Sequence, residues 1–131
     1  MRLLLDTHIA LWAIADDDRL SAKARALIDD PDNEIVISAA TLWEISIKHA
    51  LARGGRNDMP IGGKEALGYF KDAGFELISI SPAHTVAVEA LAQLHADPFD
   101  RILVAQALTT PLHLLTHDQR IAAYSDSIIA V

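Results

Sequence analysis

The sequence predicts an α/β fold, a doubly wound domain with a central parallel five-stranded sheet flanked by helices, and three observations carry that expectation. Five short apolar runs recur along the chain, at Leu3 to Leu5, Glu34 to Ile37, Glu76 to Ile80, Leu112 to Leu115 and Ile128 to Val131. Most are continuously rather than alternately apolar, as strands covered on both faces are. Segments with helical start signals separate them, so each strand returns parallel to the last through a crossover helix.

In chain order, Thr7 precedes an apolar segment Ile9 to Ala15, Ser21 precedes Ala22 to Asp29, and Ser38 precedes Ala39 to Ala52. Ser81-Pro82 and Asp97-Pro98 mark two later helices, the second running over Phe99 to Thr109, and Gln119 to Tyr124 reads as a short helix near the end. Each start offers a side-chain oxygen for the unpaired N–H groups of a first turn, and proline is least costly at the first helical position. Gly54-Gly55 ends the third helix, and Gly54 to Gly63 reads as an exposed turn between two helices. No repeat or low-complexity segment interrupts this pattern, so residues 1–131 are expected to form one domain.

Composition narrows the chemistry. At 51% apolar residues the chain can build a continuous core, and the absence of cysteine removes disulfides, thiolate metal sites and cysteine nucleophiles. Asp6 breaks the hydrophobic start after three leucines, and Asp16 to Asp18 follow, so neither a signal peptide nor a membrane span is expected and the cytoplasm is the default location. A formal charge of −7 argues against coating nucleic acid by bulk electrostatics, although two divalent ions would offset more than half of it.

In open parallel sheets the functional crevice lies beyond the carboxyl ends of the strands. Asp6 ends the first strand, Asp118 follows the fourth, and Asp100 sits in the first turn of the helix opened by Asp97-Pro98. Glu44 falls on an apolar-flanked stripe of its helix, where a carboxylate needs a partner. Each has a structural reading: Asp6 and Asp118 as caps, Asp100 against the helix dipole, Glu44 paired with Lys48. Brought together they demand more. At about 5 Å and an effective dielectric of about 20, six like-charged pairs oppose folding by roughly 20 kcal/mol as an upper bound, so protons or cations must offset them. Hard oxygen donors favour magnesium or manganese over zinc.

These residues resemble a known family, the PIN-domain nucleases, and within them the VapC-type toxins of bacterial toxin–antitoxin pairs. The likeness rests on Leu3-Leu4-Leu5-Asp6-Thr7-His8 with Leu11-Trp12, on Ser38 through Trp43-Glu44-Ile45 to Lys48, on His95-Ala96-Asp97-Pro98-Phe99-Asp100-Arg101 with Ala105-Gln106-Ala107, and on Leu115-Thr116-His117-Asp118. It covers nearly the whole chain. The resemblance implies that Asp6, Glu44, Asp100 and Asp118 form an acidic quartet holding Mg2+ or Mn2+, with Asp6 and Asp100 as direct ligands and Glu44 and Asp118 acting partly through water. It further implies hydrolysis of RNA phosphodiesters by metal-activated water, a homodimer, and a cognate antitoxin protein whose C-terminal segment lies across the groove.

Supporting roles are less specific. Thr116 is a candidate to orient water or a carboxylate through its hydroxyl, or to cap a helix, and Arg101 is the best candidate to hold the scissile phosphate, with a structural salt bridge as the competing role. His8, His95 and His117 lie beside motif acids but are expected to be structural or solvated, and Trp12 and Trp43 are expected in the core. Two other readings remain: a PIN-fold module that binds RNA or a partner with little turnover, and an α/β phosphotransfer domain using Asp6. The second lacks the aspartate that a haloacid-dehalogenase-like site places two residues on, where His8 stands.

Overall fold

A computed structural model describes residues 1–51 and 59–131. The predicted end of the third helix at Gly54-Gly55 and the start of the turn after it, through residue 58, therefore lie outside the described residues. Five strands, β1 (Arg2–Leu5), β2 (Glu34–Ser38), β3 (Glu76–Ile78), β4 (His113–Thr116) and β5 (Ile129–Ala130), form one sheet in the order β3-β2-β1-β4-β5. Every neighbouring pair is parallel, with Leu3 opposite Ile35 on one side and opposite His113 on the other. The α/β doubly wound architecture is thus the one the sequence predicts.

The continuous apolar runs have the expected cause. Leu3 and Leu5 face one layer with Ile9, Ile37, Ile45, Phe70 and Leu115, while Leu4 faces the other with Val36, Leu103, Val104, Leu114 and Ile121. Successive side chains of a strand point to opposite faces, so a strand covered on both must be apolar at each position. The first layer is built by α1 (Thr7–Ala15), α2 (Ala22–Asp29), α3 (Ala39–Leu51) and α4 (Gly63–Asp72). The second uses α6 (Pro98–Thr109) and α7 (Gln119–Ala122), with α5 (Pro82–Ala87) and a 3-10 turn at Val88–Ala90 leading into it. Burying one such leucine stabilises the fold by about 1.5–3 kcal/mol, so β1 anchors both layers.

Several boundaries shift for local reasons. Asp6, not Thr7, caps α1, because the Asp6 carboxylate accepts from Ile9 N–H at 2.9 Å while Thr7 is already helical. Ser38 is the last residue of β2, and its hydroxyl accepts from Ala40 N–H while bonding Gln106, so strand and helix join without a loop. Strand β3 stops at Ile78, two residues short of the apolar run, and β5 pairs only over Ile129–Ala130. No helix among the described residues is long and apolar enough to cross a membrane.

The topology fixes one crevice. From β1 the chain steps outward to β2 and β3, then returns across the sheet to β4 and β5, so the order reverses between β1 and β4. Asp6 N–H bonds Leu115 carbonyl at 3.1 Å, holding the two strand ends side by side. Connections leaving these ends diverge, and the gap they leave is where such sheets hold ligands.

Candidate active site

Asp6 opens the crevice floor. It is 3% exposed, at the junction of β1 and α1. Burial raises its pKa above the ordinary carboxylate value, while the Thr116 hydroxyl, Ile9 N–H and the rings of His117 and His8 pull it back. Thr116, fully buried at the end of β4, also accepts from Asp118 N–H at 3.0 Å, so one hydroxyl connects the residues that end β1 and follow β4.

Asp100 stands one turn into α6, which Asp97 caps by accepting from Phe99 N–H at 2.8 Å. Its carboxyl is pushed up to about 6, first by burial and then by the charge of Asp97, with Asp6 adding to the rise and His95 opposing it. Those influences place Asp6 and Asp100 within electrostatic reach of each other. Asp118 behaves oppositely: Arg120 holds it down at about 2 by donating to both carboxylate oxygens, at 3.2 and 2.9 Å.

Glu44 is 4% exposed on α3, and the partner its position requires is double. Thr7 donates its hydroxyl to Oε1 at 2.6 Å, and the Lys48 ammonium bonds Oε2. Burial alone would lower the Lys48 pKa, but the hydrogen bond and charge of Glu44, followed by Asp97 and Asp100, outweigh it and raise the value. The i,i+4 pair is therefore part of the acidic cluster rather than an exposed surface pair.

His95 ties the cluster together, and the sequence reading passed over it. Its Nε2 lies 2.7 Å from Asp100 and 3.7 Å from Asp118. Ala96 N–H donates to Nδ1 at 3.1 Å, so in the neutral ring the proton sits on Nε2 and is donated to Asp100. The signal available in the sequence was a histidine five residues before the helical aspartate, across a tight Asp-Pro turn, a spacing that carries no chemistry until the turn folds.

Arg101 corrects an expectation. Its guanidinium is 8% exposed and donates to the carbonyls of Ala92 (3.0 Å), His95 (3.3 Å) and Val88 (3.2 Å) and to the Tyr124 hydroxyl (3.0 Å). With these acceptors filled it holds the segment before α6 in place, and neither phosphate contact nor an acidic partner is its role. The tryptophans differ as well. Trp43 is 57% exposed, set edge-on to Phe99 with ring centroids 5.1 Å apart. Trp12 is half-buried among His8, His117 and Arg19 at the crevice rim, because a helix lining a crevice turns part of its apolar face out of the core.

For a divalent metal, the donor chemistry fits and the side-chain arrangement is closed. Asp6 and Asp100 are hard oxygen donors whose ionised forms burial disfavours, which is the deficit a cation relieves. Among the described residues, however, no group of three acidic or histidine side chains is poised to hold an ion. His95 instead bonds Asp100, while Lys48 and Arg120 pair with Glu44 and Asp118. Metal entry therefore requires one or more of these internal cations or donors to turn away.

A parallel sheet whose order reverses beside Asp6, at the end of β1, and Asp118, just past β4, defines a doubly wound α/β domain with an acidic crevice. The chain belongs to the PIN domain family, whose profile matches residues 3–126. It is similar to Ribonuclease VapC22 of Mycobacterium tuberculosis, 28% identical over 125 residues that span 93% of this chain and 91% of the relative. Its fold is similar to VapBC2 from Rickettsia felis bound to a promoter DNA fragment, with a TM-score of 0.69, 20% identity and coverage of 100% of this chain and 98% of the other. DNA-bound VapBC from Salmonella typhimurium gives a TM-score of 0.65 at 13% identity, covering 100% and 97%.

Proposed function

We propose that this chain is one PIN domain acting as a metal-dependent endoribonuclease, the toxin component of a type II toxin–antitoxin module. The observation that carries this reading is that Thr7, Thr116 and His95 link Asp6, Glu44, Asp100 and Asp118 about one crevice, with the environments of Asp6 and Asp100 penalising negative charge. The name of the mycobacterial relative supports RNA as substrate, and the VapBC assemblies support a protein partner.

Asp6 and Asp100 are the residues that hold Mg2+ or Mn2+, with Glu44 and Asp118 completing the acidic surroundings. Such an ion supplies a lowered pKa for water and positive charge against the phosphoryl oxygens. The chain's own residues do the rest. The Thr116 hydroxyl favours the charged form of Asp6 against the larger effect of burial, and Thr7 fixes the direction of the Glu44 carboxylate. His95 Nε2 lies against the Asp100 carboxylate and within 3.7 Å of Asp118, so the ring holds these two acids at one place in the crevice. Lys48 offers positive charge at the rim for phosphate oxygens.

A cognate antitoxin is the partner, and a homodimer the assembly, in this reading. Asp6 and Asp100, which have no lysine or arginine partner among the ion pairs of the described residues, are the acids that a basic side chain from outside would seek, in competition with metal. Purified protein incubated with RNA should cleave in the presence of magnesium or manganese, and sequencing of the new RNA ends should return discrete sites. Asp6→Asn and Asp100→Asn should each lower the cleavage rate by at least about 100-fold while the circular dichroism spectrum is unchanged. Cleavage that persists in EDTA, or survives both substitutions, defeats the reading.

A further inference from the structure

Glu44 is the acid of the crevice that combines near-complete burial with a charged partner. Asp6 is as buried but pairs with no lysine or arginine among the described residues, and Asp100 and Asp118 are more open. Each Glu44 oxygen has its own donor, the Thr7 hydroxyl on Oε1 at 2.6 Å and the Lys48 ammonium on Oε2. Behind Thr7 stands the fully buried Thr41, with its hydroxyl oxygen 3.3 Å from that of Thr7. Thr7 has one proton and an ionised carboxylate only accepts, so the order runs from Thr41 to Thr7 to Glu44. Two buried hydroxyls are thus spent on aiming one carboxylate.

The carboxylate in turn aims a lysine. Lys48 follows Glu44 by one turn of α3, and its side chain is 46% exposed. The charges of Asp97 and Asp100 also act on it, so the ammonium stands between α3 and the start of α6. Glu44 needs one of its three N–H groups. A lysine free on a surface loses rotamer freedom when it meets a ligand, whereas one tied to a buried carboxylate has lost it already on folding. In a chain of net charge −7, positive charge fixed at one place is what draws a phosphate. Arg101 spends its charge on carbonyls, and Arg120 is the more exposed partner of a more exposed acid.

We propose that Glu44 is a positioning residue that acts through Lys48, fixing the ammonium as the contact for a substrate phosphate on the α3 side of the crevice, and does not itself bind the metal ion. The inference rests on the nuclease reading and divides the labour within it: Asp6 and Asp100 take the ion, and the Glu44–Lys48 pair takes the strand. A divalent ion on either Glu44 oxygen would stand beside the ammonium and against its charge, a repulsion that Asp6 and Asp100 do not impose.

Metal binding separates the two roles without turnover. Mn2+ is titrated into RNA-free protein and the free ion is followed by its EPR signal. The paired variant Glu44→Gln/Lys48→Met removes one charge of each sign, so the net charge stays as it was. It should bind Mn2+ within about threefold of the wild type, while Asp6→Asn weakens binding by at least about tenfold. A loss in the paired variant equal to that of Asp6→Asn makes Glu44 a ligand and overturns the proposal.

RNA supplies the second measurement, as KM and kcat for a labelled oligoribonucleotide cleaved in manganese. Lys48→Met should raise KM roughly tenfold with kcat within about threefold, and should lower the slope of log KM against log salt by about 0.7, the share of one phosphate contact. Lys48→Arg should recover most of the loss. Glu44→Gln should raise KM by a smaller factor, and adding it to Lys48→Met should raise KM no further. Should Glu44→Gln not fold, Glu44→Asp, which draws the charge back from the ammonium by one methylene, replaces it in both measurements. Effects of the two substitutions that multiply, or a Lys48→Met protein that loses thermal stability with KM unmoved, assign the pair to packing and overturn the proposal. RNA that the wild type binds but does not cut sinks the nuclease reading alone, and the same comparisons are then read from dissociation constants by fluorescence anisotropy. RNA cut with a KM indifferent to Lys48 sinks the proposal alone.

Discussion

Asp100 carries two opposing influences that can be separated by pH. Its folded-state pKa of about 6 lies above the ordinary aspartate value of 3.8, so between those limits the metal-free folded protein holds a proton that the unfolded chain has released. Stability linked to this residue is therefore fully present below about pH 4 and declines as pH rises to about 6. Asp118 works in the other direction, because Arg120 lowers it to about 2 and its contribution is lost as pH falls from about 4 toward 2. Thermal denaturation in EDTA should thus show Asp100→Asn gaining on the wild type as pH rises from about 4 to about 6, with a constant advantage above. A constant difference across that window would mean that burial of Asp100 costs nothing.

At the scale of elements, two contacts hold the walls of the crevice. Arg101 fastens α6 to the segment from Val88 to His95, and truncating it takes a charged donor away from the carbonyls of Val88, Ala92 and His95 and from the Tyr124 hydroxyl. Arg101→Ala should cost about 2–4 kcal/mol in urea unfolding, in keeping with the loss of a buried, charge-assisted network. If stability were unchanged and only RNA affinity fell, the phosphate-binding role would be restored. On the other wall, α4 begins against α3 so closely that a Cβ on Gly63 would stand 1.8 Å from the Ser46 hydroxyl oxygen and 3.1 Å from its Cβ. Gly63→Ala should therefore destabilise by about 1–3 kcal/mol, and Ser46→Ala should recover part of that loss by removing the nearer atom.

For the whole molecule the governing quantity is negative charge, −7 overall, with the buried share concentrated at one sheet edge. A cation that binds the folded chain alone must stabilise it, by about 2.7 kcal/mol when present at about a hundred times its dissociation constant. Magnesium or manganese should accordingly raise the melting temperature of EDTA-treated protein. Asp6→Asn should abolish that rise while raising the metal-free melting temperature, because it removes a buried carboxylate that nothing then needs to neutralise. A metal-induced rise that Asp6→Asn and Asp100→Asn leave intact would place the ion elsewhere.

Local patterns were enough to define the fold. Leu3 to Leu5, Ile35 to Ile37 and Leu114 to Leu115 are apolar at consecutive positions, which only a doubly covered strand requires, and Ser21, Ser81 and Asp97 cap the helices they precede. Asp6, Glu44, Asp100 and Asp118 could also be singled out, because a carboxylate beyond a strand end, in a first turn or on an apolar helix stripe has a position that can be read in one dimension. Local neighbours were legible too, Lys48 beside Glu44 and the first-turn N–H groups that Asp6 and Asp118 cap, but neighbours from other segments were not. His95 reaches Asp100 and Asp118 only after a turn brings it back, Arg101 spends its charge on carbonyls that no spacing announces, and Trp12 packs partly against the core while meeting His8 and His117 at the rim. Sequence periodicity determines which side of an element is apolar, since that follows from backbone geometry alone. Which groups satisfy a buried charge is decided by atoms brought within about 3 Å from distant segments, and that distance exists only in the folded chain.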